Sequence, residues 1–227
     1  MTKFVLAAGT DVGEMALFSV DALSGDRCPH PDVIKAMEEQ YLVVRFPTGS
    51  DGGYLLHAYV DEVIPHEVAK YCVKEDQKSG RLFLSGGRLG FGGIESLFMS
   101  FKPNPNIRSD CMLSAGDYEV TAFRTIYPDE FIEAAVEAKI GKDGLRLLTL
   151  PAYVIAIAVL LTLFTLAMQL WYTAAAIVVA TILGLKVFFF SKLNIKRLQE
   201  EKKSIEMGFP SIVVEMRSKN VPGDSPR

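Results

Sequence analysis

From Leu147 to Leu185 the chain carries no charged residue, a run of 39 positions bounded by Arg146 and Lys186. As one straight helix this run would measure roughly 58 Å at 1.5 Å per residue. A bilayer core is about 30 Å thick, so one crossing leaves half the run unused and two crossings fit. The sequence therefore predicts a helical membrane hairpin, with spans near Leu148–Met168 and Tyr172–Phe190. Gln169, Trp171 and Tyr172 fall between them, and these residue types suit a membrane–water interface. Ala176, Ala180 and Gly184 recur at four-residue spacing in the second segment, a stripe that lets helices approach closely.

The flanks set the expected orientation. Lys139, Lys142 and Arg146 precede the run; Lys186, Lys192, Lys196, Arg197, Lys202 and Lys203 end or follow it, and the connector is uncharged. The excess of positive charge at both ends places both termini of a two-span protein in the cytoplasm, with a short loop outside. Lys186 can snorkel toward the same basic side. Met1–Ala8 is too short an apolar run for a secretory signal, and Asp11 and Glu14 interrupt its continuation. Three widely spaced cysteines, Cys28, Cys72 and Cys111, agree with a reducing compartment.

Outside the apolar run the chain is ordinary in composition. Over all 227 residues, the apolar run included, it is 49% hydrophobic and 22% charged with a net charge of -3, which excludes a disordered tail or a basic nucleic-acid coat. The charge is unevenly distributed. Residues 1–145 hold 14 Lys+Arg against 22 Asp+Glu, a balance of -8, whereas residues 146–227 hold 10 against 5, a balance of +5. A basic juxtamembrane tail is attracted by an anionic inner leaflet. An acidic domain is unsuited to nucleic acid and suited to a basic protein partner.

Residues 1–145 read as a mainly β, sandwich-like domain, with short apolar runs separated by turns about every ten residues. Lys3–Ala8, Glu14–Val20, Tyr41–Phe46, Tyr54–Val60, Val68–Val73, Arg81–Leu84, Cys111–Leu113 and Tyr118–Thr125 are the predicted strands. The pair flanking Pro47–Gly53 is expected to form a hairpin. Pro29–Gln40 reads as a helix, because Pro31 suits a first turn and Val33, Ile34 and Met37 share one face. Lys102-Pro-Asn-Pro-Asn106 is a turn. Pro128 opens a helix over Asp129–Ile140. The expected organisation is thus an acidic β-rich cytoplasmic domain over 1–145, a two-span transmembrane helical hairpin over 146–191, and a basic cytoplasmic helix with a short strand over 192–227. That last strand, Ser211–Met216, needs a partner, and the edge of the front domain is the simplest one.

No residue set has catalytic or metal-binding spacing. Cys28-Pro-His30 holds two ligand types without a CxxC or HxxxH companion, and His57 and His66 keep no fixed spacing to Cys72. The glycines of Ser85–Gly93 have the composition of a phosphate cradle but lack the Lys-Ser/Thr ending, so a bend or bulge is expected there. No cofactor or metal is called for. Asp129, Glu130, Glu133 and Glu137 gather on part of one helix, and they are the candidate binding residues for a basic partner.

The segment from Gly53 to Pro128, and within it Leu113-Ser-Ala-Gly-Asp-Tyr-Glu-Val-Thr-Ala-Phe123, resembles the competence protein J family. That resemblance implies a β-sandwich-type fold and inhibition of a DNA-entry nuclease; the apolar run departs from the family. Together these readings predict a non-enzymatic, membrane-anchored binding protein. It would be an inhibitor or immunity protein that neutralises a toxin or nuclease and contacts membrane lipid. The alternative is a membrane-tethered sensor or scaffold subunit, and a third reading is a Cys- or His-dependent hydrolase.

Overall fold

Alternation of apolar and polar residues along short strands builds two facing layers. The computed structural model describes residues 3–23, 30–98, 107–190 and 193–219. Cys28, the turn Lys102–Asn106 and Lys192 lie outside them. Strands β1 (Lys3–Thr10), β4 (Gly52–Val60), β5 (Lys78–Leu84), β8 (Gly116–Arg124) and β9 (Ile212–Ser218) form a five-stranded sheet in the order β1-β4-β9-β8-β5. Strands β2 (Glu14–Ser19), β3 (Val43–Pro47), β6 (Arg88–Gly93) and β7 (Arg108–Met112) form a four-stranded sheet in the order β3-β2-β6-β7. Every second residue faces the shared core: Leu56 and Ala58, Leu82 and Leu84, Val120 and Ala122, Val214 and Met216 from one sheet meet Met15, Leu17, Leu89 and Phe91 from the other. The two open sides are stitched where the Ser109 hydroxyl donates to the Ala7 carbonyl and the Phe83 amide donates to the Tyr41 carbonyl.

The outer faces are covered locally. Ala16, Phe18 and Val43 pack under Met37 of α1 (Pro31–Glu39) and under Leu97 and Phe98. Tyr59 and Val213 pack with Ile64, Val68 and Ala69 around α2 (His66–Ala69). Three local expectations change. The Tyr41–Phe46 and Tyr54–Val60 strands do not pair as a hairpin, because β3 joins β2 while β4 joins β1 in the other sheet. The Val68–Val73 run is the end of α2 and the turn after it, with Cys72 in a β-bridge to Thr125, and Val68, Ala69 and Cys72 pack against the sheet. The glycine run becomes β6, paired on both sides. A Cβ on Gly90 would stand 2.4 Å from the Phe18 ring and one on Gly92 2.9 Å from Ser96 Oγ, so these glycines admit close cover.

The chain divides into two units, Met1–Tyr127 with Phe209–Arg227, and Pro128–Gly208. The second holds α3 (Asp129–Ala167), α4 (Trp171–Phe190) and α5 (Leu193–Glu206). Thr165 of α3 and Ala174 of α4 are buried, and Leu198 of α5 fits over Gly144. The mainly β, sandwich-like assignment with a two-span membrane hairpin is therefore corrected to a mixed α/β chain with two sheets and one long apolar helix. Only α3 among the described residues is long and apolar enough to cross a membrane. α3 ends at Ala167 and α4 runs from Trp171 to Phe190 through Lys186. Ala176, Ala180 and Gly184 are exposed, so that stripe does not serve the packing of α4 on α3.

A charged network unforeseen from the sequence ties the four-stranded sheet together. Arg108 is 7% exposed, donates to both Asp110 oxygens at 2.7 and 2.8 Å, and lies 5.2 Å from the Phe18 ring centroid. Arg88 reaches Asp110 at 3.4 Å and Asp21 at 4.0 Å. A guanidinium this buried loses most of its hydration, so its partner is a structural requirement. Asp110→Ala is expected to lower unfolding free energy by about 2–4 kcal/mol, under the full cost of breaking an interior pair because Asp110 stays partly solvated. Chemical denaturation reads this directly, and a change below roughly 0.5 kcal/mol would mean that Arg108 finds water instead.

Candidate partner-binding site

Pro128 starts α3 with φ -59° and ψ 134°, and its carbonyl accepts the amides of Phe131 and Ile132 at 3.0 and 3.3 Å. Val136 is buried and Ile132, Ala135 and Ile140 are half-buried, which fixes the opposite face outward. Asp129, Glu130 and Glu133 are exposed on it, and Glu137 is half-buried. Their spacings of three and four residues make them neighbours along the helix surface, where like charges repel by about 0.2–0.5 kcal/mol per pair. The helix dipole offsets this for Asp129 and Glu130 in the first turn alone. Glu137 is neutralised by Lys142 at 3.5 Å. Asp129, Glu130 and Glu133 make no ion pair among the described residues.

The electrostatics of the rest of this unit differ. On α5, Lys196, Arg197 and Lys202 pair with Glu200, Glu201 and Glu206 at 3.9, 2.9 and 3.5 Å. Arg146 lies 4.0 Å from Asp143. The basic tail read from the sequence is thus largely self-compensated. Of the basic side chains in the described helical unit, Lys139, Lys186 and Lys203 are left unpaired, and they are dispersed along three helices. The acidic side chains left unpaired are contiguous.

A backbone break separates this strip from the apolar part of α3. Gly141 has φ 73° and ψ 162°, a region essentially closed to residues with a Cβ. The sequence signal was Gly141 itself, within a helix-forming run.

The other chemistry-bearing residues do not converge. His30 caps α1, its Nδ1 accepting the Asp32 amide at 3.4 Å. His57 is fully buried on β4, where it is flanked by Val5 and Val213. His66 opens α2. Burial raises the Cys72 thiol, and burial reinforced by Asp110 pushes Cys111 up to about 11, which keeps both protonated and weakly nucleophilic at neutral pH. Among the described residues no group of three or more His, Cys, Asp or Glu side chains could hold a metal ion. Leu89–Gly93 of the glycine run are taken up in strand pairing, and the Arg88 amide donates to the Asp21 carboxylate at 3.2 Å, an acidic neighbour that disfavours a phosphate there.

No family model matches the chain, and no curated protein matches it. Two solved structures are similar to it. One, described as Crocagin biosynthetic gene J, is 13% identical with a TM-score of 0.42, over 59% of this chain and 82% of that one. The other is ComJ from Bacillus subtilis, inhibitor of the DNA degrading activity of NucA, at 14% identity and a TM-score of 0.34, over 55% of this chain and 82% of that one. The second is a member of the family that the Leu113–Phe123 segment resembles. At these scores neither likeness bears on the chemistry of the site.

Two outcomes check this geometry. Gly141→Ala forces a costly backbone, by about 1–3 kcal/mol, so the break should redistribute. Spin labels at Ala134 and Leu150 should then report a changed separation; an unchanged one would mean that packing and not glycine holds the break. The raised Cys111 thiol should alkylate much more slowly than free cysteine at pH 9, accelerating as pH approaches 11. Alkylation at the free-thiol rate at pH 9 would show that the side chain is not shielded.

Proposed function

We propose that the chain is a non-enzymatic binding protein held at the cytoplasmic face of a bacterial inner membrane, with the acidic start of α3 as the docking surface for a basic protein. Asp129, Glu130, Glu133 and Glu137 are the binding residues, and the role is that of an inhibitor or immunity protein against a toxin or nuclease. The observation that carries this is the strip of three adjacent, exposed carboxylates without ion-pair partners among the described residues, next to a fourth that has one. Such a strip costs helix stability and raises the local negative potential, which accelerates encounter with a positively charged surface. The apolar part of α3 supplies the contact with membrane lipid. The inhibitor role follows the resemblance of the Gly53–Pro128 segment to the competence protein J family.

A scaffold role in a membrane complex is favoured by a different observation. Ala176, Ala180 and Gly184 are exposed, and an apolar groove lined by Ile155, Val159, Leu163, Val178 and Ile182 opens beside Thr162 and Thr181. These features would suit helix association within lipid.

The experiment is capture of the partner from a detergent extract, followed by binding of that purified partner to wild type and to Glu130→Lys/Glu133→Lys at low and high salt. The double reversal should slow association about 10-fold at low salt and flatten the salt dependence, with membrane retention unchanged. Equal rates and equal salt slopes for the two proteins would remove this surface as the docking face.

A further inference from the structure

Strand β9 does not sit at an edge. It lies between β4, to which it is parallel, and β8, to which it is antiparallel, with Leu56↔Ile212 through Val60↔Met216 on one side and Tyr118↔Ser218 through Arg124↔Ile212 on the other. Ile212, Val213, Val214 and Met216 are each no more than 3% exposed, so both faces of the strand are covered. β4 and β8 do not pair with each other. Without β9 the sheet falls into the pairs β1-β4 and β8-β5, separated by a slot about 9.5 Å wide, twice the spacing of neighbouring strands.

The slot is fitted at both ends. At the entry, the Ser211 hydroxyl accepts the Leu55 amide at 2.8 Å and donates to the Leu55 carbonyl at 3.1 Å. The Thr125 hydroxyl donates to the Pro210 carbonyl and its amide to the Ser211 carbonyl. At the far end, Asp61 accepts the Ser218 amide at 2.7 Å and Glu119 pairs with Lys219 at 2.8 Å. The points where the chain leaves and rejoins this unit also touch, since the Tyr127 and Phe209 rings stand edge to face at 5.3 Å.

From this geometry we infer that the C-terminal strand is a clip: among the described strands it alone joins β1-β4 to β8-β5, so the five-stranded sheet closes only once the chain has returned from the excursion Pro128–Gly208 and seated β9 in the slot.

The test uses the full chain with a site-specific protease sequence inserted between Met207 and Gly208, both exposed. After cleavage of the folded protein, the piece beginning at Gly208 should stay bound through gel filtration, and β4 and β8 amides should keep their slow hydrogen exchange. As urea is raised, release of the piece should coincide with a rise of roughly 100-fold or more in β4 and β8 exchange. Release while β4 and β8 stay protected would overturn the clip. Val214→Asp in the same cleavable chain should release the piece without urea, with α3 and α4 exchange unchanged, and retention of that piece would count equally against it.

Discussion

The backbone pairing of β9 with β4 and β8 is the constraint on which the front unit depends. Its two ladders join what would otherwise be two separate strand pairs, and its side chains contribute to opposite faces. Val214 and Met216 enter the core shared with the second sheet, while Val213 enters the cluster under α2. A strand buried on both faces reads as a continuous apolar run and not as an alternation, which is what Ile212-Val-Val shows. The core between the sheets, the cover over the outer face and the meeting of Tyr127 with Phe209 all require this strand to be in place. The helical excursion is thus an insertion into a sheet and not an appendage after one.

Much of the strand content was legible in the sequence, because period-two burial leaves a local imprint. Leu82 and Leu84, or Val120 and Ala122, announce their inward face without any knowledge of the partner. Pairing was less legible. Pro47–Gly53 carries strong turn chemistry, yet a turn specifies that the chain reverses, not which sheet the next strand joins. β6 was hidden because its outward positions are glycine. Phe18 and Ser96 occupy the space that side chains would take, and that demand comes from residues about 70 positions away in one case. Val68–Val73 misled in the opposite sense, since a short apolar helix used as a cap has the same composition as a strand.

The apolar run shows how composition can mislead about architecture. The run from Leu147 to Leu185 has no charge, and two crossings near Leu148–Met168 and Tyr172–Phe190 are the natural reading by length. The helix ends fall close to those places: α3 stops at Ala167, a turn at Met168–Leu170 follows with Gln169 at φ 59°, and α4 runs from Trp171 to Phe190. Among the described residues only α3 is long and apolar enough to cross a membrane. Gly141 interrupts the helix after Ile140, where the sequence reading of Asp129–Ile140 stops, because its φ and ψ are not helical; Pro151 lies inside the part that follows.

The candidate site was visible as composition, and its meaning came from charge pairing. A helix lying beneath an anionic surface could carry acids simply because that face points away from lipid. On that view the unpaired acids and the unpaired bases of the unit should be scattered alike. Three of each are unpaired among the described residues, but Lys139, Lys186 and Lys203 lie on three helices whereas the three acids are neighbours. α5 alternates Lys or Arg with Glu four residues later, the weaker of the two orders on a helix, yet three such pairs form there. Lys142 reaches back across the Gly141 break to Glu137. Among the described residues Asp129, Glu130 and Glu133 stand without ion-pair partners although Lys139 is only six residues from Glu133 in sequence. Exposed pairs of this kind contribute little stability, so folding gains almost nothing from the arrangement. Its effect is on the field: among the described residues of these helices the unpaired bases are isolated from one another, while the unpaired acids adjoin, and the patch they form is negative.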